Sequence, residues 1–166
     1  MKQAIAGVAP PELGEVTVMT VWPSVASIGL GRFLGRMMAI STGFWIFSVG
    51  RLVALLAIPL GPMLYFSLRA PFNVHRYRLT NRRVGIMAGI NPQFTRFVDL
   101  DRFDKIEIQV APGQEWYNAG DLVFRRGDIE TFRLPGVSRP EAFRQTCLKA
   151  RMSYVGVRKA LAMQTA

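Results

Sequence analysis

The long apolar stretch at residues 33–68 limits what this chain can fold into more than any other feature. Its only Lys, Arg, Asp or Glu residues are Arg36 near the start and Arg51 in the middle. A bilayer core is about 30 Å thick, and a helix needs roughly 17–25 apolar residues to cross it. The runs 33–50 and 52–68 each approach that length. The sequence therefore predicts a two-helix transmembrane hairpin over 33–68.

The turn of this hairpin is predicted at Gly50-Arg51, because a charge in mid-membrane costs several kcal/mol and belongs at an interface. Pro59 and Pro62 fall in the second predicted crossing, where proline is tolerated as a kink. Two alternatives stay open. The stretch could be a buried helix pair in a soluble protein, or one crossing followed by a re-entrant or interfacial segment.

Basic residues flank the predicted spans and set their orientation, since Lys and Arg concentrate on the cytoplasmic side. Two precede or open the first span and several follow the second, so both termini are predicted to be cytoplasmic. The predicted membrane-interface residues are Trp22, Arg32, Arg36, Arg51 and Arg69.

Residues 1–32 are predicted to form a tail, a short strand and an interfacial segment. The alternation in 15–21 is typical of a strand, and Trp22 fits the headgroup level of a membrane. Residues 25–36, which contain three glycines and two arginines, are interpreted as an interfacial helix or an early extension of the first crossing.

Residues 69–152 have the pattern of an antiparallel β-roll or barrel of about six or seven strands, closed by one C-terminal helix. Alternating runs lie at 74–79, 84–87, 96–100, 105–110, 121–126 and 129–134. Gly127-Asp128 is a two-residue hairpin signal, and Pro135-Gly136 is a predicted turn. Ser138 and Glu141 have capping-box spacing before the helix. Residues 153–166 are predicted to be a C-terminal extension, so the fold class is a membrane hairpin plus an α+β domain.

The charge and the residue types exclude most chemistry. From residue 69 onward the chain has seventeen Lys or Arg residues and nine Asp or Glu residues. This excess favours attraction to an anionic leaflet, or it serves only topology and solubility. One cysteine (Cys147) and one histidine (His75) leave no catalytic set, and Cys147 falls on the apolar stripe of the helix. Asp99, Asp101 and Asp104 lack the glycine turn of a calcium loop. We expect no enzyme activity, no cofactor, no metal and no nucleic-acid partner.

Several short motifs resemble the bacterial pleckstrin-homology-like (bacterial PH) domain family. The run Tyr77 to Arg83 followed by Gly89 resembles the family's Y-x-L-T-N-x-R…G signature. Weaker resemblances extend over residues 15–152: the strand at 98–101, the Gly-Asp pair at 120–121, the Pro-Gly at 135–136 and the Trp-Pro-Ser at 22–24. The longer, aromatic loop at 111–119 and the tail beyond 152 depart from the family pattern.

The resemblance implies a PH-like β-roll, in many members directly preceded by membrane spans, that binds or scaffolds at the bacterial inner membrane. We therefore expect a multi-pass membrane protein whose partners are anionic lipids of the cytoplasmic leaflet, and other membrane subunits. The alternative function is an accessory subunit of a larger membrane complex, such as a respiratory or photosynthetic one. The predicted headgroup or partner residues are Arg76, Arg78, Arg82 and Arg83, and the predicted partner loop carries Trp116 and Tyr117.

Overall fold

The computed structural model describes residues 14–40, 43–44, 47–69, 75–89 and 93–164. Strands in these ranges are β1 (Thr17–Val21), β2 (Gly43–Phe44), β3 (Phe47–Ser48), β4 (His75–Thr80), β5 (Arg83–Ala88), β6 (Phe94–Asp99), β7 (Lys105–Gln109), β8 (Ala119–Arg126) and β9 (Ile129–Ser138). The α helices are α1 (Gly29–Met38), α2 (Val49–Ala57), α3 (Leu60–Arg69) and α4 (Pro140–Gln164). Short 3₁₀ helices cover Val25–Ser27 and Glu115–Tyr117.

Two antiparallel sheets form the centre of the fold. Their strand orders are β1-β4-β5-β6 and β7-β8-β9. Tight turns join β4 to β5 and β8 to β9. In the β4–β5 turn, Thr80 Oγ1 accepts hydrogen bonds from the backbone N–H groups of Arg82 and Arg83, at 3.3 and 3.0 Å. Side chains of this type stabilise a turn by bonding the backbone two or three residues on. The predicted β-roll is thus present, with four and three strands.

The core lies between the sheets, and in β4 the alternation of side chains shows which residues it takes. In β4, Tyr77 and Leu79 are buried while Arg76 and Arg78 face outward. Phe103 and Phe124 meet edge to face at 4.9 Å between ring centroids. Each fully buried large apolar side chain contributes about 1.5–3 kcal/mol, so these strands specify the domain's stability.

The C-terminal helix α4 covers the core as predicted. Phe143 and Cys147 are fully buried and belong to the core cluster. Further along α4, the Arg151 Nε–H donates to the Phe103 carbonyl at 2.6 Å. Burial raises the pKa of the Cys147 thiol, which fits a packing residue rather than a reactive one.

Three predictions around this helix need correction. Pro135-Gly136 does not turn the chain but lies inside β9, with Gly136 at a φ of +58°. A strand can pass through a positive-φ glycine because glycine has no Cβ. Ser138 is the last residue of β9 and α4 begins at Pro140, so the expected capping-box register is absent. The predicted extension from 153 is not a separate segment, because α4 continues to Gln164.

The apolar stretch at 33–68 differs most from its prediction. Within the described ranges it holds the end of α1, the β2–β3 pair, and two helices of 9 and 10 residues, α2 and α3. At 1.5 Å per residue such helices are about 14–15 Å long, about half of a bilayer core. Among the residues described here, no helix has both the length and the apolar character needed to span a membrane.

The two apolar helices are not separated at the predicted turn, Gly50-Arg51. Gly50 lies in α2, and its N–H donates to the Ile40 carbonyl at 3.1 Å. A Cβ on Gly50 would lie 2.4 Å from that carbonyl oxygen, so the glycine serves close packing against the end of α1. The two apolar helices separate instead at Ile58-Pro59, where proline removes a backbone donor. Arg51 is therefore a helix residue and not part of an interhelical turn.

The helical segment is an insertion within one sheet. β1 pairs with β4, with Val21 opposite Tyr77 and Met19 opposite Leu79. The domain predicted to begin at residue 69 thus also includes the strand that precedes the apolar stretch. After β1 the chain is tied to the second sheet, because the Ser24 N–H donates to the Gly136 carbonyl at 2.8 Å. The segment between β1 and β4 therefore begins and ends at neighbouring strands of one sheet.

Candidate functional site

The outer side of the four-stranded sheet carries a basic and aromatic surface, which we call the basic face. Strand alternation puts Arg76 and Arg78 on this side of β4. On the same side of the sheet lie Arg83 of β5 and Phe97 of β6, and Trp22 follows the last residue of β1. The basic face consists of Trp22, Arg76, Arg78, Arg83 and Phe97. Three of the four arginines predicted as binding residues therefore share one surface.

At one end of the basic face, Arg76 and Trp22 lie together. The Arg76 guanidinium carbon is 5.8 Å from the centre of the Trp22 ring. An Arg76 Nη2–H also donates to the Gly89 carbonyl at 3.3 Å. Trp22 is 40% exposed. This pair combines a cation with an amphipathic ring, which is the combination found at the headgroup level of membranes.

At the other end, Arg83 has a structural partner. Its Nε lies 3.1 Å from Glu15 Oε1, and its guanidinium carbon is 4.6 Å from the centre of the Phe97 ring. The Arg83 charge is thus partly offset within the chain. Arg82 lies in the β4–β5 turn between the two strands. The role of the four arginines as headgroup or partner residues stays a prediction.

The Thr-Asn pair before these arginines holds β1 in place. Asn81 is buried; its Oδ1 accepts from the Val16 N–H, and its Nδ2 donates to the Gly14 carbonyl, both at 3.0 Å. Thr80 Oγ1 donates to Glu15 Oε1 at 2.9 Å. The most specific motif of the sequence therefore has a structural task, which is to attach the strand preceding the insertion.

The other predicted membrane-interface arginines lie on the helices. Arg32 and Arg36 are in α1, where the Arg36 Nε–H donates to the Pro112 carbonyl at 3.1 Å. Arg51 is the third residue of α2, and Arg69 is the last residue of α3. Arg36 therefore contacts the 111–119 loop, and the side chains of Arg51 and Arg69 lie outside what the structure describes.

Helices α2 and α3 expose a large apolar surface. Five large apolar side chains in these helices and in the link between them are 62% to 76% exposed: Leu55, Leu56, Ile58, Met63 and Phe66. Exposed apolar patches on soluble proteins mark interaction sites, whereas singly scattered apolar residues do not. This surface adjoins the domain through a recess lined by Trp22, Tyr65 and His75.

The predicted partner loop is built on a buried polar network. Asp121 Oδ1 accepts from Gln114 Nε2 at 2.6 Å and from the Gly136 N–H at 2.8 Å. Gln114 Oε1 in turn accepts from the Ala111 N–H at 2.8 Å. Held in this way, the loop leaves Trp116 54% exposed and Tyr117 half-buried. Burial raises the pKa of Tyr117.

The acidic residues of the 99–104 region have structural contacts. Asp101 pairs with Arg158 of α4, and Asp104 Oδ2 accepts from the Gly127 N–H at 3.0 Å. In the part of the chain that the structure describes, no three potential metal ligands are clustered.

Sequence reasoning missed the position of Arg96. Arg96 and Val98 share one side of β6, and Val98 is buried in the core. The Arg96 guanidinium carbon lies 6.0 Å from the centre of the core ring Phe132. The sequence did contain a signal, because Arg96 falls on the same side of the alternating strand pattern as the apolar Val98.

Comparison with known families identifies the class of this domain. A family model described as bacterial PH domain matches residues 25–153, which is well over half of the chain. Two antiparallel sheets and a C-terminal helix fit the PH-like β-sandwich. The chain therefore belongs to the bacterial PH domain family, which confirms the resemblance and indicates a binding or scaffold role. A search of curated proteins and a search of solved structures each found no match.

Proposed function

We propose that this chain is a non-catalytic scaffold protein of the bacterial inner membrane, with its bacterial PH domain held at the cytoplasmic surface by α2 and α3. The exposed apolar surface of these helices carries the proposal. Leu56 and Phe66 are 76% and 70% exposed, whereas the sheets and α4 already enclose a core of their own. Contact with lipid removes such a surface from water, which is favourable by about 25 cal/mol per Å² of apolar area.

The position of the insertion supports a location of both termini on the cytoplasmic side. Because β1 and β4 are antiparallel neighbours in one sheet, the apolar segment leaves the domain and returns to it at the same end of these strands. A segment that enters the membrane from this end must come back to the same side. The excess of Lys and Arg in the domain favours the cytoplasmic side for that end.

The basic face supports contact with lipid headgroups. Arg76 and Trp22 lie at the end of β4 and β1 from which the apolar insertion emerges. Arg78 follows on the same side of β4. A basic residue close to an anionic leaflet contributes about 1 kcal/mol of attraction. The apolar helices would thus hold the protein on the membrane, and the basic face would orient it.

Flotation with lipid vesicles tests this proposal. The full chain is mixed with vesicles of phosphatidylcholine alone, or with added anionic phosphatidylglycerol. We expect it to float with both, and more tightly with the anionic vesicles at low salt. Changing Arg76, Arg78, Arg82 and Arg83 to Gln should remove the preference for anionic vesicles and leave the basal flotation.

A matched control changes four basic residues away from the basic face: Arg126, Arg139, Arg144 and Lys149. If this control variant loses the anionic preference to the same extent, the basic face has no special role. If the wild-type chain floats with neither type of vesicle, the membrane function itself is wrong.

A second function, as an accessory subunit of a larger membrane complex, is favoured by Trp116. This side chain is 54% exposed on a loop that Gln114 and Asp121 hold from within. Rigidly presented aromatic residues are typical anchors of protein interfaces. The native mass after extraction in mild detergent distinguishes the two functions. A defined assembly that is lost on Trp116→Ser supports the subunit role, and a free monomer or homo-oligomer contradicts it.

A further inference from the structure

A cavity opens at one end of the bacterial PH domain, between the two sheets and the segment that follows β1. Its volume is about 380 Å³, within the range of about 300–1,000 Å³ typical of ligand pockets. The walls come from β4, β5, β6 and β9 and from the turn before α1. The lining residues are Pro23, Ser27, Ile28, His75, Tyr77, Ile86, Thr95, Arg96 and Pro135.

Most of the cavity wall is apolar, which defines the body of a ligand. Ile86 is half-buried and packs against the core from the inner side of β5. Ile28, Pro23 and Pro135 face it from the segment after β1 and from β9. The phenol of Tyr77 already donates to the Pro135 carbonyl at 2.6 Å, so it closes the wall and does not offer a free donor.

A single arginine defines the other end of the ligand. Arg96 lies on the inner side of β6 at the cavity, and its side chain is exposed at the mouth. Within the described ranges its charge has no carboxylate partner, although its guanidinium lies near the Phe132 ring. A guanidinium beside an apolar wall favours an anionic head group, with which it can form two charge-assisted hydrogen bonds.

The cavity also has a route toward the apolar helices. A second recess of about 230 Å³ shares Pro23 and His75 with it and reaches Tyr65 of α3. This helix belongs to the surface for which we propose contact with lipid. A ligand that dissolves in the membrane can therefore reach the cavity along α3.

We propose that this cavity binds an acyl chain with an anionic head group, its chain against Ile86 and Ile28 and its head at Arg96. The chemistry fits a free fatty acid or one chain of an acidic phospholipid. The cavity is formed by the domain itself, and only the route of entry rests on the proposed function. Binding would make the scaffold responsive to the lipids around it.

Photolabelling of the full chain in phosphatidylcholine nanodiscs tests the proposal. Three probes carry a diazirine on the acyl chain: a fatty acid, the neutral fatty alcohol, and phosphatidylglycerol. Labelled peptides are identified by mass spectrometry. We expect the fatty acid, the phosphatidylglycerol or both to label peptides that contain Ile28, Ile86 or Pro135, and unlabelled oleate to compete. The fatty acid and phosphatidylglycerol probes distinguish the two sources of the chain.

Two variants make the result specific. Arg96→Gln keeps the shape and removes the charge, so labelling of the cavity by the anionic probes should fall about tenfold or more, the loss expected for a charge-assisted contact of about 1.5–3 kcal/mol. The fatty alcohol should be unaffected. Ile86→Trp fills the cavity and should abolish labelling by every probe. Arg126→Gln, at the far end of the β8–β9 hairpin, is the matched control and should change nothing.

The proposal is overturned if the anionic probes label the cavity peptides equally in wild type, Arg96→Gln and Ile86→Trp. It is also overturned if labelling is confined to α2 and α3. This second result would leave the membrane function intact, because those helices would still contact lipid. Absence of labelling on the helices as well would count against both proposals.

Discussion

At the scale of single residues, Asp121 connects three parts of the domain. Its carboxylate, on β8, binds Gln114 of the aromatic loop and the Gly136 N–H in β9, and its other oxygen lies 3.4 Å from Arg133 Nη1. Gly136 in turn holds the segment after β1. The Gly-Asp pair that supported the family resemblance therefore has a physical reason, since one buried carboxylate accepts from a loop residue, Gln114, and from a strand residue, Gly136.

Asp121→Asn is expected to lower the free energy of unfolding by about 1–3 kcal/mol. The amide keeps one acceptor oxygen, but it loses the charge and presents a donor where Gln114, Gly136 or Arg133 also donates. Thermal unfolding followed by circular dichroism measures the change. Asp128→Asn, in the exposed turn of the β8–β9 hairpin, is the control and should stay within about 0.5 kcal/mol of wild type. Equal stability of all three proteins would show that the network is not stabilising.

Tyr77 gives the domain a predicted sensitivity to high pH. Burial, and to a lesser extent the charge of Asp121, raises the pKa of Tyr77. An unfolded chain ionises tyrosine near pH 10, so the folded state holds this proton more tightly. The resulting contribution to stability is present below pH 10 and is lost as the pH rises above it.

Urea unfolding of wild type and Tyr77→Phe between pH 8 and 11 tests this prediction. At pH 8 the variant should be less stable by about 0.5–1.5 kcal/mol, because the hydrogen bond to Pro135 is missing. Above pH 10 this difference in stability should shrink or reverse. Only the wild-type chain has a phenol at position 77, and its ionisation in the unfolded state lowers the stability of the wild type alone. Two curves that run parallel over the whole range would contradict the assignment.

At the scale of elements, α1 is fixed to the domain by glycine contacts. A Cβ on Gly35 would lie 2.1 Å from the Gly113 carbonyl oxygen, and one on Gly113 would lie 2.0 Å from the Arg32 carbonyl oxygen. The helix and the aromatic loop therefore touch backbone to backbone. The other side of α1 exposes Leu30 and Phe33, so the loop positions an apolar helix face as well as its own Trp116.

Gly35→Val is expected to separate α1 from the aromatic loop, because the closest atom is rigid backbone and cannot move aside cheaply. Hydrogen exchange should rise in residues 111–117 and in α1, while β8 keeps its protection. Gly29→Ala in the same helix is the control, since nothing lies within 4 Å of its Cβ position. Unchanged exchange in Gly35→Val would mean that the loop does not depend on α1.

Sequence patterns predicted some elements and not others, for identifiable reasons. Strand β7 was predictable because its apolar and polar residues alternate with a period of two, and Gly127-Asp128 marked the hairpin that joins β8 to β9. The apolar stretch was not, because a uniformly apolar run does not show where a helix ends. Gly50 was interpreted as a turn, although its lack of a Cβ serves packing against Ile40.

At the scale of the whole molecule, the insertion between β1 and β4 separates in sequence two strands that pair in one sheet. The shared outward phase of Arg76 and Arg78 was predictable from strand alternation. The ion pair of Arg83 with Glu15 was not, because it joins residues on opposite sides of the apolar stretch. Long-range pairing of this kind depends on the sheet order. It also explains why the domain begins earlier in the chain than its apparent boundary at residue 69.

The central claim is that the apolar helices hold a PH domain on the membrane. Fractionation of bacterial cells tests this claim most directly. The full chain is expressed at low level, and membranes are washed with high salt. Wild type should stay in the membrane fraction. Leu56→Lys combined with Phe66→Lys should move to the soluble fraction, because each lysine costs about 2.5–3.5 kcal/mol within the bilayer. Recovery of wild type in the soluble fraction, or retention of the double variant in the washed membranes, would contradict the claim.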